Sequence, residues 1–375
     1  MKFLLKLTSA ITLAVAVAAQ ANAELVTSSG DELVLSTNSG LKVKTANGEK
    51  SFQIGGRIQW DYADIDLNDN NILKDTYIRR ARIFTKGHSG DWAYKAQFNL
   101  DDERGAVKRK GGTVEDLYIR YTGFNFADIT VGKQKAPFGL EELTSSKDIS
   151  SLERSASTNL FVGGRQTGIQ LTGNIDNFTY SFGVFEANEE VLEDGVLTDL
   201  PDDDAKNFAY VGRATFAPIN KEGKVLHLGA GFIAAGENSQ NFGLKDVYNL
   251  EAGGVSGPFH VQAEFFEGEL AGQDVDSYYI QAGWILTGES RPYSKGKFKR
   301  VKPKAGEGAW EVVTRYNDGT GDFEELGEID AKSYLVGLNY YQGNVRLGAN
   351  FTSIEEDTTD NDVDIFQIRI QYVYD

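Results

Sequence analysis

The sequence predicts an all-β fold, a transmembrane antiparallel β-barrel of about sixteen strands. Three observations support this prediction: an amino-terminal export leader, a long series of segments in which apolar and polar residues alternate, and no later apolar run long enough for a membrane helix. Together they indicate a chain that leaves the cytoplasm and crosses a membrane with strands.

The first 23 residues have the three parts of a secretory signal peptide. Lys2 and Lys6 begin it, an apolar run over residues 7–19 follows, and Ala21-Asn22-Ala23 supplies small residues for cleavage. The apolar run is shorter than the roughly 20 residues that a spanning helix needs. We therefore expect three regions, namely a signal peptide over 1–23, a polar extension over 24–50 and the barrel over 51–375.

Segments with two different faces recur from Ser51 to the end of the chain. In residues 52–62, Ile58 and Trp60 fall on one face, whereas Gln59 and Asp61 fall on the other. Counting such segments predicts about sixteen strands of roughly 9 to 11 residues, enough to leave an aqueous lumen. A soluble β-sandwich is the alternative, but aromatic residues at the strand ends suit the interfacial belts of a membrane barrel. These residues are Trp60, Tyr62, Tyr121, Trp284, Tyr340 and Tyr372.

Composition excludes several classes of protein. The formal net charge is −17, and because the leader holds two lysines and no acid, the remaining chain has 36 basic and 55 acidic residues, which argues against nucleic-acid binding. There is no cysteine, so stability cannot come from disulfides. The three histidines, His88, His227 and His260, are isolated. We expect no catalytic residues, no metal site and no cofactor.

Connections of unequal length and charge separate the segments. Residues 137–165 and 187–206 form long connections, and the second is strongly acidic, which indicates a solvated loop in preference to a cation site. Residues 287–306 follow an even-numbered segment, where a short turn is expected, yet they are long and contain seven basic residues against Glu289 alone. Folded inside the barrel this segment would concentrate anions. The alternative is a solvated basic turn or one that contacts anionic lipid.

Basic residues also lie on the predicted lumenal face. Rings of arginine and lysine favour anions, because each side chain supplies charge and hydrogen-bond donors to a partly dehydrated oxyanion. By alternation, this face includes Arg57, Arg120, Arg213, Arg315, Arg346 and Arg369. It also includes the acids Asp61, Asp116, Glu264 and Glu311, which would neutralise part of the charge.

Several runs resemble the family of phosphate-selective porins O and P. They are Gly55-Gly56-Arg57-Ile58-Gln59, Arg79-Arg80-Ala81-Arg82-Ile83, the run over 131–141 (VGKQKAPFGLE), the loop over 143–165 and the flanks of the basic segment, Trp284 to Glu289 and Gly308 to Glu311. The matches are in order and cover nearly the whole chain after the leader. This chain ends Tyr372-Val373-Tyr374-Asp375, whereas barrels of this kind typically end in an aromatic residue.

The resemblance implies a trimeric barrel of sixteen strands with loops folded into the lumen, in which phosphate passes an arginine ladder and lysines at a constriction. The matching ligands would be Arg57, Arg79, Arg80, Arg82, Lys133, Lys135, Lys147, Arg154 and Arg165. To these the charge pattern adds Arg213, Arg291, Lys295, Lys297, Lys299 and Arg300.

We therefore expect a channel in the outer membrane of a Gram-negative bacterium that passes small inorganic anions, with phosphate first among them. Its expected partners are those anions, outer-membrane lipid and two further copies of the chain. Alternatives are a general diffusion porin and a channel for pyrophosphate, polyphosphate or carboxylates. A structural or adhesive barrel with an occluded lumen is the alternative from a different class.

Overall fold

The computed structural model describes most of the chain after the expected leader. The described residues are 24–28, 31–37, 40–100, 103–104, 107–108, 113–162, 164–186, 191–193, 196–198, 208–235, 244–270, 273–304, 306–323, 327–358 and 361–375. The expected signal peptide over 1–23 and most of the acidic loop over 187–206 lie outside these residues.

Strands dominate the described chain. They are β1 (Glu24–Ser28), β2 (Asp31–Ser36), β3 (Leu41–Thr45), β4 (Lys50–Leu67), β5 (Asn70–Ser89), β6 (Trp92–Asn99), β7 (Glu103–Arg104), β8 (Val107–Lys108), β9 (Thr113–Tyr121), β10 (Asp128–Lys135), β11 (Arg165–Ile175), β12 (Phe178–Glu186), β13 (Val191–Glu193), β14 (Val196–Thr198), β15 (Phe208–Lys221), β16 (Lys224–Ala235), β17 (Leu244–Ser256), β18 (Phe259–Leu270), β19 (Gln273–Ile285), β20 (Tyr293–Ser294), β21 (Lys297–Phe298), β22 (Ala309–Phe323), β23 (Gly327–Gln342), β24 (Val345–Glu356) and β25 (Asn361–Tyr374). The helices are α1 (Leu140–Leu143) and α2 (Ala156–Phe161). In the described part of the chain, neither helix has the length and apolarity to cross a membrane.

Sixteen of the described strands close into one antiparallel barrel. They are β4, β5, β6, β9, β10, β11, β12, β15, β16, β17, β18, β19, β22, β23, β24 and β25. The last strand, β25, pairs with the first, β4, from Tyr374 opposite Gly56 to Val363 opposite Leu67. A Cβ atom on Gly55 would lie 2.4 Å from the Tyr374 carbonyl oxygen, so this position needs glycine. The predicted barrel and its strand number are confirmed.

The polar extension over 24–50 contributes three strands of its own. β3 pairs with β4 from Leu41 opposite Ile54 to Lys44 opposite Ser51, on the edge of β4 where β25 has ended. β2 pairs with β3, and β1 pairs with β2. The extension therefore enlarges the sheet at the end of the barrel where β25 stops.

The barrel has a turn end and a loop end. Two-residue turns, such as Gly90–Asp91 between β5 and β6, lie at the turn end, which faces the periplasm in barrels of this class. At the loop end the connections are less uniform than expected, because only two to four residues separate β4 from β5, β18 from β19, β22 from β23 and β24 from β25. The strands of the barrel vary from 8 to 20 residues. The expected length of 9 to 11 was therefore too short for many of them.

Burial in this barrel is the reverse of that in a soluble sandwich. Ile58 and Trp60 are 53% and 40% exposed, whereas Gln59 and Asp61 between and beside them are fully buried. The exposed apolar faces form the outer wall, and the polar faces are covered because chain segments fold into the lumen. This arrangement confirms the predicted orientation of the two faces.

Candidate functional site

The first segment inside the lumen is the connection between β10 and β11, residues 136–164, here called the constriction loop. Phe138 and Phe161 are buried with the wall residue Phe266, and the Phe161 ring stacks on Phe266 at a centroid distance of 5.5 Å. Aromatic side chains of this size contribute strongly to burial. The constriction loop is therefore packed against the barrel wall through its own small apolar core.

A carboxylate on the wall holds the start of helix α1. Glu264 of β18 accepts hydrogen bonds from the backbone N–H groups of Leu140, at 2.6 Å, and Glu141, at 2.9 Å. The Tyr279 hydroxyl donates to the same carboxylate at 2.6 Å. The acid on this part of the lumenal face is thus engaged with the constriction loop.

Three lumenal arginines hold the other half of the constriction loop. Arg315 donates to the Ser151 hydroxyl at 2.9 Å, Arg346 donates to the Ile149 carbonyl at 2.6 Å, and Arg369 donates to the Leu152 carbonyl. Arg369 also forms ion pairs with Asp61 at 2.6 Å and Glu153 at 2.5 Å. These arginines face the lumen, as alternation predicts, but the loop covers them.

The second segment inside the lumen joins β19 to β22 at the turn end, residues 286–308, here called the inward segment. Arg291, Phe298 and Val301 in it are buried. Its basic residues therefore do not form a wholly solvated turn, which decides between the two interpretations of this segment. The Arg291 guanidinium lies over the Phe298 ring, 4.8 Å from its centroid, and donates to Gln262 at 2.9 Å.

A tight hairpin within the inward segment places Lys297. β20 and β21 pair across Lys295 and Gly296, whose φ angles of 49° and 70° are those of a type I′ turn. Arg213 of β15 donates to the Gly296 carbonyl at 2.8 Å and is itself paired with Glu251 at 2.7 Å. The wall thus fixes the hairpin tip, and Lys297 follows it.

A cavity of about 340 Å³ lies in the lumen, lined by wall strands, the constriction loop and the inward segment. Its wall residues come from six consecutive barrel strands, β4, β5, β6, β9, β10 and β11, and the constriction loop, Lys297 and Asp375 complete it. The basic side chains among its described lining residues are Arg57, Arg80, Arg82, Lys86, Lys95, Arg120, Lys135, Lys147, Arg154, Arg165 and Lys297, whereas the carboxylates are Asp116 and Asp375. One side of the lumen is thus strongly positive in a chain of negative net charge.

Carboxylates neutralise many of these cations. Lys95 and Arg165 both pair with Asp116 at 2.6 Å, and Arg165 also pairs with Glu115 at 2.8 Å, to which Arg82 is bound as well. Further pairs join Lys135 and Arg154 to Glu142, Arg80 to Glu153, and Lys147 to Asp375 at 3.1 Å and to Asp148 at 3.5 Å.

The carboxyl of Glu142 stays ionised among these cations. Burial alone would raise the pKa of the Glu142 carboxyl, but Lys135 and Arg154 beside it bring this pKa below its usual range. Lys135 and Arg154 therefore have a permanent counter-ion within the protein, which reduces what they offer to a passing anion.

Four lining cations have no carboxylate within ion-pair distance in the described part of the chain: Arg57, Lys86, Arg120 and Lys297. Lys86 lies over the Phe84 ring at 5.1 Å, and Arg120 lies over the Tyr118 ring at 5.2 Å. An aromatic face orients a cation without cancelling its charge. We call these four residues the uncompensated cations.

Arg57 also has a free donor. Its Nη1 donates to the Ser145 hydroxyl at 3.1 Å, but its buried Nε has no hydrogen-bond partner among the described residues. An unsatisfied buried donor is unfavourable by about 1 to 3 kcal/mol. Arg57 is thus held by one side-chain hydrogen bond and carries one unsatisfied donor.

The structure brings together eight of the fifteen residues expected on the anion pathway. Those that line the cavity are Arg57, Arg80, Arg82, Lys135, Lys147, Arg154, Arg165 and Lys297. Arg79 is the extra residue of a bulge, since Gln59 pairs with Arg80 and Trp60 with Ile78, and it forms a bidentate pair with Glu153.

The remaining expected residues lie elsewhere. Lys133 pairs in register with Leu117 and Thr167, both exposed on the outer wall, and cross-strand partners share a face. Arg213 and Arg291 hold the inward segment, and Arg300 donates to the Gly343 carbonyl. Lys295 is exposed at the hairpin tip, and Lys299 is likewise absent from the cavity lining.

Lys86, Lys95 and Arg120 line the cavity but were not in the expected set. Each lies on a face that alternation could have identified, because Lys86 continues the series Arg80, Arg82, Phe84 along β5. Arg120 was assigned to the lumenal face by alternation alone. For these three residues, the alternation of faces along a strand was therefore a better predictor of the cavity lining than proximity in sequence to the family motifs.

Comparison with known proteins identifies relatives across almost the entire chain. The sequence model of the family "Phosphate-selective porin O and P" matches residues 52–245 and 232–374. Porin O of Pseudomonas aeruginosa is 32% identical, in an alignment that covers 97% of this chain and 98% of that protein. An uncharacterised protein of Caulobacter vibrioides is 28% identical over 72% of this chain and 62% of its own length.

Solved structures share the fold at low identity. An anion-selective porin from Comamonas acidovorans superimposes with a TM-score of 0.59 at 13% identity, covering 87% of this chain and 100% of that one. The trimer form of OmpT from Vibrio cholerae gives a TM-score of 0.56 at 13% identity, covering 87% and 99%. At this identity the likeness shows a common barrel architecture.

Proposed function

This chain belongs to the phosphate-selective porin O and P family and is an outer-membrane porin, and we propose that phosphate and related small anions cross it through the cavity beside β4, β5, β6, β9, β10 and β11. The observation that carries the proposal is the set of uncompensated cations, Arg57, Lys86, Arg120 and Lys297, on the lining of that cavity.

The positions of these cations suit a route for anions along the wall. Arg57 pairs in register with Arg82, and Lys86, four residues nearer the turn end on β5, pairs with Lys95. Arg120 lies opposite Ala93, a further step toward the turn end. A sequence of fixed charges lets an anion pass from one partner to the next, provided that no single partner holds it too tightly.

Partial neutralisation is part of this arrangement. The paired cations keep their charge next to a carboxylate, so their attraction for an anion is reduced, whereas no carboxylate within ion-pair distance in the described part of the chain weakens that of the uncompensated cations. The low-dielectric wall behind them concentrates their field in the cavity. We infer that the uncompensated cations set anion preference and that the paired cations shape the passage.

The purified protein in a planar bilayer under a steep KCl gradient should show a reversal potential that indicates chloride preference. Phosphate added at constant chloride should reduce the chloride current, because a doubly charged oxyanion binds the cationic lining more strongly. Pyrophosphate and small carboxylates added in the same way would rank the competing anions. A preference for potassium, or chloride current that is indifferent to phosphate, would contradict the proposal.

Anion preference should also fall as pH rises through neutrality. Burial, with the neighbouring cations Lys299, Arg213 and Arg120, lowers the pKa of Lys297 to about 7. Lys297 is therefore charged below this pH and neutral above it, so the chloride-to-potassium permeability ratio should drop about twofold between roughly pH 6 and pH 8. Chloride is the probe because phosphate itself titrates in this range.

The matched control for this pH dependence is Lys297→Arg, which keeps its charge throughout that range. The pH dependence should flatten in this variant and also in Lys297→Met, where selectivity should stay at the lower value. A pH dependence that is unchanged in both variants would assign it to another group.

The remaining parts of the proposal concern assembly and export. We propose that residues 1–23 are cleaved on export, that residues 24–50 extend the sheet, and that the barrel assembles as a trimer in outer-membrane lipid. The trimer form of OmpT, which shares the fold, supports the oligomeric part. The named relatives are porins, and we propose no catalytic activity for this chain.

A further inference from the structure

We propose that the side chain of Asp375 is a built-in competitor for permeating anions, held at Lys147 in the cavity and displaced when an anion binds there. This inference rests on the proposed function and adds to it a residue that determines which anions bind. It concerns a carboxylate that lies in the channel itself.

The course of β25 directs Asp375 toward the lumen. Arg369, Gln371 and Val373 are buried on the lumenal face of this strand, and Ile370 and Tyr372 are exposed on the outer wall. Asp375 is next in the lumenal series, immediately after Tyr374, which is still paired with β4. Its side chain is part of the cavity lining.

The contact partner of Asp375 is a lysine of the constriction loop. The Lys147 Nζ atom lies 3.1 Å from Oδ2 and 3.4 Å from Oδ1 of Asp375. Gln371 of the same strand donates to the Lys147 carbonyl at 3.3 Å, so the backbones on both sides of the ion pair are held together. The pair is therefore a fixed feature of the cavity rather than a chance approach of two mobile chains.

The two carboxylates of the cavity lining differ in how firmly they are held. Asp116 binds both Lys95 and Arg165 and is buried. Asp375 binds one lysine, and the side chains of this pair are 26% and 25% exposed, so water reaches both partners. An exposed pair of this kind contributes at most about 1 kcal/mol. An incoming anion can therefore displace Asp375 from Lys147 at a small cost in free energy, whereas displacing Asp116 from its two cations would cost more.

Competition of this kind selects by charge. A tethered carboxylate is a constant high local concentration of a monovalent anion. Chloride, which has one charge and accepts hydrogen bonds weakly, displaces it poorly. A doubly charged oxyanion interacts more strongly with the ammonium group and its neighbours and displaces it readily. Asp375 should thus suppress monovalent anions more than phosphate.

The test compares Asp375→Asn with the unaltered channel in planar bilayers. The variant should conduct chloride better, bind phosphate about threefold more tightly, as judged by half-block of the chloride current, and discriminate less between the two. The same substitution in Lys147→Gln should have no further effect, whereas in Lys297→Gln its effect should persist. An equal effect in both backgrounds would indicate only the general field of one charge and would overturn the inference, as would no effect at all.

A second experiment exchanges the charges of Lys147 and Asp375, and it tests the inference if Asp375→Asn fails to assemble. Lys147→Asp alone adds a carboxylate to Asp375 and Asp148 and should depress chloride current, and the double variant Lys147→Asp with Asp375→Lys should restore it by remaking the pair. Failure of restoration in channels that insert normally would overturn the inference. Potassium preference of the unaltered channel would instead refute the proposed function, and the two failures are thereby distinguished.

Discussion

Replacing Arg57 and Lys297 together by glutamine is expected to lower the chloride-to-potassium permeability ratio about tenfold, because the two removed charges together change the energy of an anion in the cavity by about 1.4 kcal/mol. Phosphate block of the chloride current should weaken in parallel. The effect is large below pH 7, where Lys297 is charged, because neither residue has a carboxylate partner in the described part of the chain that would weaken its attraction for the permeating anion.

The same absence of partners makes this double variant tolerable to the fold. Removing Arg165, by contrast, would leave Glu115 and Asp116 without one of their cations in a buried place. Arg57 loses only its hydrogen bond to Ser145, a change of about 1 kcal/mol. A normal yield of folded channel with altered selectivity is therefore the expected combination.

Lys133→Gln is the comparison that separates the structure from the sequence. The sequence motif places Lys133 with Lys135 on the anion pathway, whereas the register places it on the outer wall beside Leu117. Selectivity should be unchanged in Lys133→Gln and reduced in Arg57→Gln/Lys297→Gln. Selectivity is measured as reversal potentials in the same KCl gradient. The opposite result would indicate that Lys133 lies on the anion pathway.

The second large effect is expected from Arg369→Met. This side chain joins Asp61 on the wall to Glu153 and the Leu152 carbonyl of the constriction loop, and it is almost completely buried. Removing one partner of a buried ion pair leaves the other charges uncompensated, which destabilises by about 3 to 5 kcal/mol. The constriction loop should also lose part of its attachment, so single-channel conductance should rise and become noisier.

Glu153 makes this expectation specific. Burial would raise the pKa of its carboxyl, but Arg369, Arg80 and Arg79 together hold this pKa well below the usual range. In Arg369→Met this carboxyl would lose the largest of these cationic neighbours and keep only Arg80 and Arg79 against the effect of burial. The free energy of unfolding in denaturant, together with conductance, measures both consequences.

The control for Arg369→Met is Lys332→Met on β23. Lys332 pairs with Asp330 at 3.0 Å and with Asp357 at 3.1 Å, but Lys332 and Asp330 are about one third exposed and Asp357 is 63% exposed. Its replacement should change the free energy of unfolding by less than about 1 kcal/mol and leave conductance unaltered. Equal effects of the two substitutions would show that Arg369 does not hold the loop.

The alternation of side chains between the two faces of each strand made most of the fold predictable. A period of two places apolar residues on the lipid side and polar residues on the lumenal side, and the order of segments along the chain is the order of strands in an antiparallel barrel. This is why the barrel, its sixteen strands and the lumenal direction of Arg57, Arg315, Arg346 and Arg369 could be inferred. The bulge at Arg79 could not be inferred. One added residue moves the side chains beyond it to the opposite face of the strand, and this leaves no signal in the amino-acid composition.

The alternating pattern could not show which arginines hold the constriction loop and which remain available to an anion. Arg57 and Arg369 look alike in sequence, each alternating with apolar residues on a strand. In the structure Arg369 is bound to two carboxylates and the constriction loop, whereas Arg57 has no carboxylate partner among the described residues and its Nε is unsatisfied.

What the sequence by itself determined is therefore the architecture and the family, because alternation and ordered motifs are local properties of the chain. Only the tertiary structure decided which cations remain available to an anion. Whether a lysine or arginine is neutralised depends on carboxylates such as Glu142, Glu153 and Asp375, which the folding of distant segments into the lumen brings within about 3 Å. The attraction between two opposite charges weakens with the distance between them in space, and an alternating sequence pattern does not specify that distance.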